Sequence, residues 1–425
     1  MKISIVWLRR DLRFEDNTAL DKALASGFPV LVLFIFDEKI IGNLPPDDAR
    51  VSFIHHRLDQ LNKDLAGRGS SLLCLKGDPL KIWQELILKY DIARVFVNGD
   101  YEPYAVVRDQ AVRQLLESTG IGVYILKDQV IFEKDEIIKD EGSPYMVFTP
   151  YKKKWLQKLN SAGIPRVDKR VKGSYYQTDH VFPSLCELGF RKSSLSVSNY
   201  DLSVIGKYPH TRDIPSRPTS MLGPHLRFGT VSIRQLIGGL EESDVVFLGE
   251  LIWRDFFMQI LWHFPKVTEH NFNPKYDRIE WRNDEKEFER WYSGETGYPL
   301  VDAGMRELNS TGFMHNRVRM IAAGFLCKHL LTDWRWGEAY FAEKLLDYEL
   351  SSNNGNWQWS AGTGCDAAPW FRIFNPDTQL LKFDKHLEYV RKWVPEYGTS
   401  SYPRPIVEHK FARERALSAY KRIDK

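Results

Sequence analysis

An almost unbroken apolar run at residues 28–37, FPVLVLFIFD, limits the fold of this chain more than any other feature. The run is too short to cross a bilayer as a helix. It is typical of a parallel strand that is covered on both faces. Similar strand-like runs lie at 3–7, 72–75, 93–98 and 122–126, and helix-like segments lie at 18–25, 48–65, 79–90 and 106–118. This alternation predicts a doubly wound, Rossmann-like parallel α/β domain over residues 1–130.

Polar residues follow several of the predicted strands. Asp37 ends the apolar run, and Asp78 and Asp100 lie just beyond later runs. Ligands of doubly wound sheets bind at the carboxyl ends of the strands, where these residues are expected. The GxGxxG fingerprint of a dinucleotide site does not occur in the sequence, so a nicotinamide cofactor is not expected.

The character of the sequence changes after residue 130. Residues 131–195 are mixed and include the consecutive lysines Lys152, Lys153 and Lys154, so we predict an interdomain linker that runs over the surface. From residue 196 onward, helical periodicity with many aromatic residues replaces the strand-like runs. The second predicted domain, residues 196–425, is therefore all-α.

Composition excludes some classes of protein. The net charge of +3 neither demands nor excludes a nucleic-acid partner, because a local basic patch matters more than the total. The 4 cysteines form no CxxC pair, which argues against disulfides and a zinc site. The sequence has neither a long uniformly apolar stretch nor a signal-peptide pattern, so we expect a cytoplasmic protein without a membrane span and without a metal.

Two segments of the second domain hold candidate ligand-binding side chains. Thr219 and Ser220 precede a Gly-Pro break and a predicted helix, and their hydroxyls with exposed N–H groups could cradle a diphosphate. A helix cap with a turn is the alternative. Glu250, Trp253 and Phe257 share one helix face, so a carboxylate could meet a base edge while the indole stacks on the base. A solvated Glu beside a core Trp is the alternative.

Two further segments are dense in polar and aromatic residues. Asn316 and Met320 are i, i+4 neighbours on a predicted helix, whereas Arg317 and Arg319 lie on other faces, where one could meet phosphate. An ordinary amphipathic helix is the alternative. The segment 347–359 contains the run Asn-Asn-Gly-Asn at 353–356, which disfavours a regular helix.

These four segments resemble, in order, the photolyase/cryptochrome family, most closely the class I cyclobutane pyrimidine dimer photolyases. Residues 7–13 (WLRRDLR), 294–303 (GETGYPLVDA) and 402–409 (YPRPIVEH) extend the resemblance over essentially the whole chain. It implies a carbon–carbon lyase, a deoxyribodipyrimidine photo-lyase, that acts as a monomer on UV-damaged DNA. Light-excited FADH⁻ would transfer an electron to a cyclobutane pyrimidine dimer and split it into two pyrimidines.

The resemblance also implies which residues hold FAD. Arg319 and Asp347 would form a salt bridge beside the isoalloxazine ring, and Asn353 would face flavin N5, where photolyases carry Asn. A neutral amide tolerates the anionic reduced flavin, which an ionised carboxylate would repel. Glu349 and Gly223 stand where the family usually has Asp and Ser. The full implied set is Tyr208, Thr219, Ser220, Met221, Leu222, Gly223, Arg254, Arg319, Asp347, Glu349 and Asn353.

Catalytic and DNA-binding residues follow from the same resemblance. Trp357, Trp334 and Trp281 fall on the family's chain for electron hopping between the protein surface and the flavin, and Asn353 and Glu250 complete the implied catalytic set. Glu250 would contact the base edges of the dimer and stabilise its radical anion. The residues implied at the lesion and the DNA are Arg212, Glu250, Trp253, Asn316, Arg317, Met320, Trp359 and Arg372.

Two alternative functions remain open. A (6-4) photolyase carries a catalytic His in the segment that here contains His315. A blue-light-sensing cryptochrome shares the fold and FAD, so only Asn353 and the short C-terminal end favour repair.

A second, antenna chromophore is also implied. Folate-binding relatives carry an Asn-Glu pair after the Tyr-Glu that corresponds to Tyr101 and Glu102, and here Pro103 follows instead. A deazaflavin or flavin near Arg10, Phe36 and Asp37 is therefore favoured over folate, and an empty site is the alternative.

Overall fold

The computed structural model of the chain describes residues 1–165 and 173–424, so residues 166–172 of the predicted linker lie outside the described residues. Within these limits the chain forms two compact units, each assembled from separate stretches of sequence. The first comprises Met1–Glu136, Trp155–Asn199 and Met221–Glu241, and the second comprises Ile137–Lys154, Tyr200–Ser220 and Glu242–Lys425. The predicted domain boundaries after residues 130 and 195 stay a prediction.

The first unit contains a parallel sheet of five strands. They are β1 (Ile3–Leu8), β2 (Val30–Asp37), β3 (Leu73–Gly77), β4 (Ile92–Asn98) and β5 (Gly122–Leu126), in the order β3-β2-β1-β4-β5. The chain starts at the centre, proceeds outward to β3, and then crosses back to β4 and β5. The predicted doubly wound α/β architecture is therefore confirmed.

Strand β2 is the apolar run from which the fold was predicted. All of its residues are buried. Val32 and Phe34 pack with Leu58 on one face of the sheet, whereas Leu33 packs with Trp83 on the other. Because both faces are covered by apolar side chains, every position of the strand is apolar until Asp37.

The polar residues after the strands begin the next helices. Asp37 accepts a hydrogen bond from the backbone N–H of Lys39, and Asp78 accepts one from that of Leu80. These contacts satisfy amide groups that a helix leaves free at its N-terminus. The same carboxylates that were candidates for ligand binding thus also have a structural use.

Helices make up the remaining regular structure. In chain order they are α1 (Thr18–Leu24), α2 (Glu38–Ile41), α3 (Ala49–Ala66), α4 (Pro79–Lys89), α5 (Pro103–Ser118), α6 (Phe148–Ala162), α7 (Tyr208–Thr211), α8 (Leu222–Arg227), α9 (Ile233–Gly238), α10 (Val245–His263), α11 (Glu285–Ser293), α12 (Pro299–Thr311), α13 (Asn316–Gly324), α14 (Trp334–Lys344), α15 (Leu350–Ala361), α16 (Pro376–Phe383), α17 (Glu388–Trp393) and α18 (His409–Lys421). A π-helical turn, Phe325–Leu330, follows α13. Every helix in the described stretches is too short or too polar to traverse a bilayer.

The second unit is built around an aromatic core and has no strand among its described residues. Trp291, Trp334 and Trp357 are buried together with Phe325 and Phe341 in one cluster. Trp291 and Trp357 meet edge to face with ring centroids 6.1 Å apart. The predicted all-α architecture of this part of the chain is confirmed.

Helix α15 corrects one expectation. The Asn-Asn-Gly-Asn run at 353–356 lies inside this regular helix and does not interrupt it. Asn354 and Gln358 donate side-chain hydrogen bonds to the carbonyl of Val267, 2.9 and 3.0 Å away. Gly355 packs so closely against the ring of Phe257 that a Cβ there would lie 2.2 Å from a ring carbon. These tertiary contacts outweigh the low helix propensity of the Asn-rich run.

Candidate functional site

A cavity in the second unit collects many of the residues singled out in the sequence. Its wall is formed by α13, by the end of α14 and the segment after it, and by α15. The lining residues are Asn316, Arg319, Met320, Ala323, Phe341, Leu345, Asp347, Tyr348, Glu349, Ser352, Asn353, Asn356, Trp357 and Ser360. Seven of the predicted site residues are among them, although they come from three different segments of the chain.

An ion pair sits in this wall. Arg319 Nη2 donates to Asp347 Oδ2 at 2.9 Å, and Arg319 Nε donates to the carbonyl of Met314 at 2.7 Å. The other carboxylate oxygen, Asp347 Oδ1, is buried and has no hydrogen-bond partner. A buried acceptor of this kind is normally satisfied, so this oxygen marks a place where a ligand N–H group fits.

Asn353 is held by a residue that the sequence analysis missed. Its side-chain amide donates to the backbone carbonyl of Glu338 at 3.1 Å and to the Glu338 carboxylate at 3.0 Å. Burial raises the pKa of Glu338, against the opposing effect of the Asn353 hydrogen bond. The amide nitrogen of Asn353 is therefore fixed toward α14 while the residue lines the cavity.

The cavity-lining residues of α15 follow a helical pattern. Glu349, Ser352, Asn353, Asn356 and Trp357 lie on one face by i, i+3, i+4, i+7 and i+8 spacing. Continuing this face from Asn353 would have identified Ser352 and Asn356 from the sequence. They were missed because the Asn-rich run was not expected to be helical.

Glu250, on α10, pairs with a predicted phosphate-binding arginine. Arg212 Nη1 lies 2.7 Å from Glu250 Oε1, and both side chains are about one-third exposed at 31%. Burial raises the pKa of Glu250, and Arg212 opposes that increase. Arg212 also lies over the ring of Tyr208, and burial raises the pKa of this tyrosine to about 12. The predicted lesion carboxylate and the predicted phosphate contact are thus direct neighbours.

Trp253, one turn along α10 from Glu250, stacks on Phe148. The ring centroids are 3.6 Å apart and the planes are inclined by 8°. Phe257 lies 5.3 Å from the same indole at an interplanar angle of 29°. Phe148 was not identified from the sequence, because a stacking partner so distant along the chain leaves no local pattern. Trp359 on α15 is partly exposed, and its predicted contact with the lesion stays a prediction.

The three tryptophans of the predicted electron chain differ in burial. Trp357 lines the cavity and is 2% exposed, Trp334 is fully buried at 0%, and Trp281 is partly exposed. Trp334 Nε1 donates to Asn271 at 2.9 Å. The ring of Trp357 packs on Gly337, one turn beyond Trp334 on α14, where a Cβ would lie 2.1 Å from a ring carbon. Trp281 is thus the one of the three that reaches the protein surface, whereas Trp357 and Trp334 are buried.

The remaining predicted arginines are placed differently from one another. Arg317 pairs with Asp213 and lies over the ring of Phe383, with its guanidinium carbon 4.5 Å from the ring centroid. Arg254 has Asp255 at 3.9 Å, and Arg372 is exposed. None of the three lines the cavity.

His315, the residue behind the (6-4) alternative, does not line the cavity. It precedes α13, and its Nδ1 accepts a hydrogen bond from the backbone N–H of Arg317 at 3.2 Å. It is 2% exposed, and burial, aided by Arg319 and Arg317, lowers the pKa of its ring to about 4. A buried, neutral histidine that caps a helix has a structural role.

The predicted diphosphate segment is divided between the two units. Thr219 and Ser220 belong to the second unit, and Met221, Leu222 and Gly223 to the first. Met221 has a left-handed backbone conformation, with φ of 52°, just before α8. The role of this segment stays a prediction.

The predicted antenna residues in the first unit are bonded to side chains of that unit. Asp37 accepts from Tyr104 Oη at 2.7 Å and pairs with Arg108 at 3.3 Å. Arg10 pairs with Asp100 at 3.1 Å and with Glu102 at 3.0 Å. Phe36 is buried against Phe34, with ring centroids 4.9 Å apart.

Comparison with protein families finds two matches that together cover most of the chain. Residues 4–169 match the family described as DNA photolyase. Residues 247–401 match the FAD binding domain of DNA photolyase, which includes the cavity described above.

Curated relatives match over nearly their full length. The deoxyribodipyrimidine photo-lyase of Agrobacterium fabrum is 37% identical, with 99% of this chain and 98% of the relative covered. Those of Halobacterium salinarum and Escherichia coli are 35% and 36% identical, with 99% of this chain and at least 98% of each relative covered.

Solved structures show the same architecture. A bacterial class III photolyase from Agrobacterium tumefaciens matches with a TM-score of 0.87 and 35% identity over 99% of this chain and 98% of that one. An archaeal photolyase from Sulfolobus tokodaii, solved with two FAD molecules, matches with a TM-score of 0.86 and 35% identity over 99% of this chain and 100% of that one. A cryptochrome from Synechocystis shares the fold at a TM-score of 0.86 and 24% identity, covering 99% of both chains.

Proposed function

This chain belongs to the DNA photolyase family, and we propose that it performs its chemistry at the cavity of the second unit. Its function is light-driven repair of UV-damaged DNA, with the activity of a deoxyribodipyrimidine photo-lyase and FAD as cofactor. The observation that carries the assignment of the site is the convergence of Arg319, Asp347, Asn353 and Trp357 on one cavity. The class I assignment stays a prediction, since the Agrobacterium tumefaciens neighbour is a class III enzyme.

The polar groups of the cavity lining suit the edge of a flavin ring. Asp347 Oδ1 is a buried acceptor without a partner, and the edge of an isoalloxazine ring offers an N–H donor. Arg319 holds the other oxygen of that carboxylate and so fixes its orientation. When bound, reduced FAD absorbs light, supplies one electron to the substrate and receives it back. Together with Arg319 and Asp347, we assign Glu349 and Asn353 to the flavin side of the site.

Asn353 contributes a neutral group where negative charge develops. Glu338 accepts both hydrogen bonds of the Asn353 amide nitrogen, so the amide cannot turn freely. Burial raises the pKa of Glu338, and the hydrogen bond from Asn353 opposes that increase. An anionic ligand is therefore not repelled from this side.

The lesion side is assigned to α10 and its neighbours. Glu250 offers a carboxyl group to the base edges of the dimer, and the indole of Trp253 offers an apolar surface to the flipped bases. Arg212 keeps the Glu250 side chain in place and provides positive charge for a phosphate. The dimer gains one electron, both carbon–carbon bonds between the pyrimidines break, and the electron leaves again, so the reaction has no net redox change.

Trp253 has a consequence for how the dimer binds. Phe148 already covers one face of the indole at stacking distance. A flipped base can therefore stack only on the side away from Phe148. We propose that Phe148 supports the indole from behind and keeps its orientation fixed before DNA arrives.

We assign Trp357, Trp334 and Trp281 to electron supply from the protein surface. Trp357 and Trp334 are buried and Trp281 is partly exposed, so Trp281 is the residue of this path that an external reductant can reach. This path serves to reduce the flavin, and it is not needed for repair once the flavin is reduced.

We propose a deazaflavin or a flavin as the second chromophore. The Sulfolobus tokodaii neighbour contains two FAD molecules, which supports a second flavin site in proteins of this fold. Extraction of the bound chromophores followed by chromatography tests the proposal, and recovery of a folate would contradict it. The predicted monomeric state and cytoplasmic location stay predictions.

The decisive experiment uses two oligonucleotides, one with a single thymine cyclobutane dimer and one with a (6-4) photoproduct. Pre-reduced protein should release intact thymines from the first only in the light and leave the second unchanged. Repair of the (6-4) substrate alone would show that the protein is a (6-4) photolyase and that the assignment of the cyclobutane dimer is wrong. No repair by a protein that binds FAD and photoreduces it would favour a light sensor.

A further inference from the structure

A second cavity in the helical unit shares no residue with the one described above. It has a volume of about 520 Å³ and lies between the segment at 278–282 and α18 with the residues after it. Arg278, Arg282, Arg415 and Arg422 line it, and Glu280 is the single carboxylate among its lining residues. We call this feature the arginine groove. Glu287 outside the lining pairs with Arg282, and Glu280 pairs with Arg422, so the four guanidinium groups leave the groove with an excess of positive charge.

The guanidinium groups of the groove are only partly satisfied. Arg278 donates to the carbonyl of Ile423 at 2.6 Å, and Arg282 pairs with Glu287 at 2.6 Å. Arg422 is 72% exposed and lies 3.6 Å from the Glu280 carboxylate. These side chains have contacts that fix their position, yet they keep further N–H groups available.

Arg415 is the least satisfied of the four. Its Nη2 donates to the carbonyl of His329 at 2.5 Å, whereas its Nε is buried and has no hydrogen-bond partner. Burial, followed by the positive charge of Arg282, lowers the pKa of Arg415. A guanidinium that faces another guanidinium, with a buried N–H left over, is in the environment of an anion-binding group.

The shape and composition of the groove narrow the class of anion. A fork of N–H donors matches the oxygens of a phosphate group, and several arginines suit a ligand with more than one charge. Leu331 and Ile423 add apolar surface to the lining. The volume falls in the range of small-molecule sites, which is about 300–1,000 Å³. We propose that the arginine groove binds a nucleotide, with its phosphates on the guanidinium groups and its base on the apolar lining.

The groove adjoins Trp281. Its lining residues Glu280 and Arg282 are the chain neighbours of this tryptophan, and Leu331 and Ile423 belong to the buried cluster against which Trp281 packs. A bound nucleotide therefore brings negative charge close to Trp281. Where the tryptophan chain works as proposed above, that charge stabilises the positive charge left on Trp281 after electron transfer, and flavin photoreduction becomes faster.

Calorimetric titration of the FAD-loaded protein tests the binding. ATP should bind, and adenosine, which has no phosphate, should not. Arg415→Gln should weaken ATP binding about tenfold or more, because a charge-assisted hydrogen bond is lost. Glu280→Gln should strengthen it, since the only carboxylate of the lining is removed. Arg113→Gln, an exposed ion-paired arginine of the first unit, is the control and should bind ATP like the unchanged protein.

Arg415→Gln also removes a hydrogen bond to His329, so thermal unfolding of each variant is measured alongside. Arg422→Gln changes a side chain that is 72% exposed. If Arg415→Gln does not fold, a loss of ATP affinity in Arg422→Gln tests the proposal instead. An undamaged single-stranded oligonucleotide is titrated in parallel. If the arginine variants lose affinity for the oligonucleotide and keep it for ATP, the groove is a nucleic-acid surface and the nucleotide proposal is wrong. Equal ATP binding by all variants also overturns it.

Photoreduction provides the second readout. ATP should accelerate flavin photoreduction in the unchanged protein and not in Arg415→Gln. Trp281→Phe should remove the acceleration while ATP still binds. If ATP binds to the unchanged protein but does not accelerate flavin photoreduction, the proposed effect on Trp281 is wrong and the nucleotide site still stands. Binding and its effect on photoreduction are therefore tested separately.

Discussion

Two carboxylates at candidate ligand sites, one in each unit, are satisfied to different degrees. Asp37 in the first unit uses both oxygens, since Oδ1 accepts from the backbone N–H of Lys39 and Oδ2 meets Tyr104 and Arg108. Asp347 in the second unit uses Oδ2 for Arg319, and its Oδ1 has no partner. A buried polar atom without a partner costs about 1–3 kcal/mol, so a ligand that satisfies it gains that much. The difference separates a carboxylate whose two oxygens are satisfied within its own unit from one that can still accept a hydrogen bond.

The buried cations differ in the same way. Arg234 in the first unit pairs with Asp16 at 3.0 Å and with Asp128 at 2.7 Å. Lys328 in the second unit donates to the carbonyls of Ala361 and Trp370 and lies 3.7 Å from the ring centroid of Tyr420. Burial lowers the pKa of Lys328 to about 7. The first unit neutralises its buried cation with carboxylates, whereas the second does so by favouring the uncharged amine.

The largest effect is expected from Asp347→Asn. The change replaces the charged acceptor of the cavity with a neutral amide, so flavin affinity should fall about 10- to 100-fold. Asp128→Asn changes a buried carboxylate of the first unit that Arg13 and Arg234 satisfy, and it should lower stability without loss of flavin. Flavin absorbance per chain of the purified proteins measures both. Equal flavin loss in the two variants would show that Asp347 contributes no more to flavin binding than a carboxylate of the first unit.

Glu250→Ala should lower repair and leave flavin content unchanged. The substitution removes a carboxyl group from the lesion side and leaves Arg212 without its partner, so repair at limiting dimer concentration should slow by roughly tenfold. Thymine release per absorbed photon is measured with pre-reduced protein. Glu343→Ala, a largely exposed site on α14, serves as the control. Normal repair by the Glu250 variant would contradict the proposed contact between Glu250 and the lesion.

Lys328→Met should change how stability depends on pH. In the folded protein the pKa is about 7, and in the unfolded chain it is near 10.5, so between these values the unfolded chain binds more protons. The unchanged protein should therefore gain up to about 1.4 kcal/mol per pH unit over the variant above pH 7. Denaturant unfolding at a series of pH values measures the difference. A pH-independent difference would show that Lys328 does not titrate in this range, and Lys385→Met is the exposed control.

The smallest effect on repair is expected from Trp281→Phe. Pre-reduced protein should repair dimers at the normal rate, because the tryptophan chain serves only to reduce the flavin. Photoreduction of oxidised flavin should be strongly slowed in the same variant. Trp336→Phe alters another partly buried tryptophan and should leave photoreduction unchanged. Normal photoreduction by the Trp281 variant would disprove the proposed electron path.

The architecture of the first unit was predictable because its signal is local. Both faces of β2 are covered, so the strand reads as a continuous apolar run, and the short runs around it repeat at intervals that fit βαβ units. Asp78 follows the next strand and caps a helix, as its position in the sequence suggests.

The candidate site of the second unit was predictable only in part. The resemblance named Arg319, Asp347 and Asn353, and the structure brings them to one cavity. Helix α15 was not expected, because the hydrogen bonds of Asn354 to a distant loop outweigh its low propensity and are invisible in the local sequence. Glu338 was missed for the same reason, since its role depends on a partner from another helix.

Gly337 shows how the absence of a side chain can affect the proposed path of electron transfer. The ring of Trp357 rests directly on the backbone of α14 at this glycine, one turn from Trp334, and any Cβ would collide with it. Electron tunnelling weakens steeply as the gap between donor and acceptor widens. A methyl group at residue 337 would push the indole of Trp357 away from α14 and so slow electron transfer along the proposed path, although no tryptophan is replaced. The closeness of Trp357 to α14 is thus set by a residue that itself carries no charge, no ring and no hydrogen-bonding side chain.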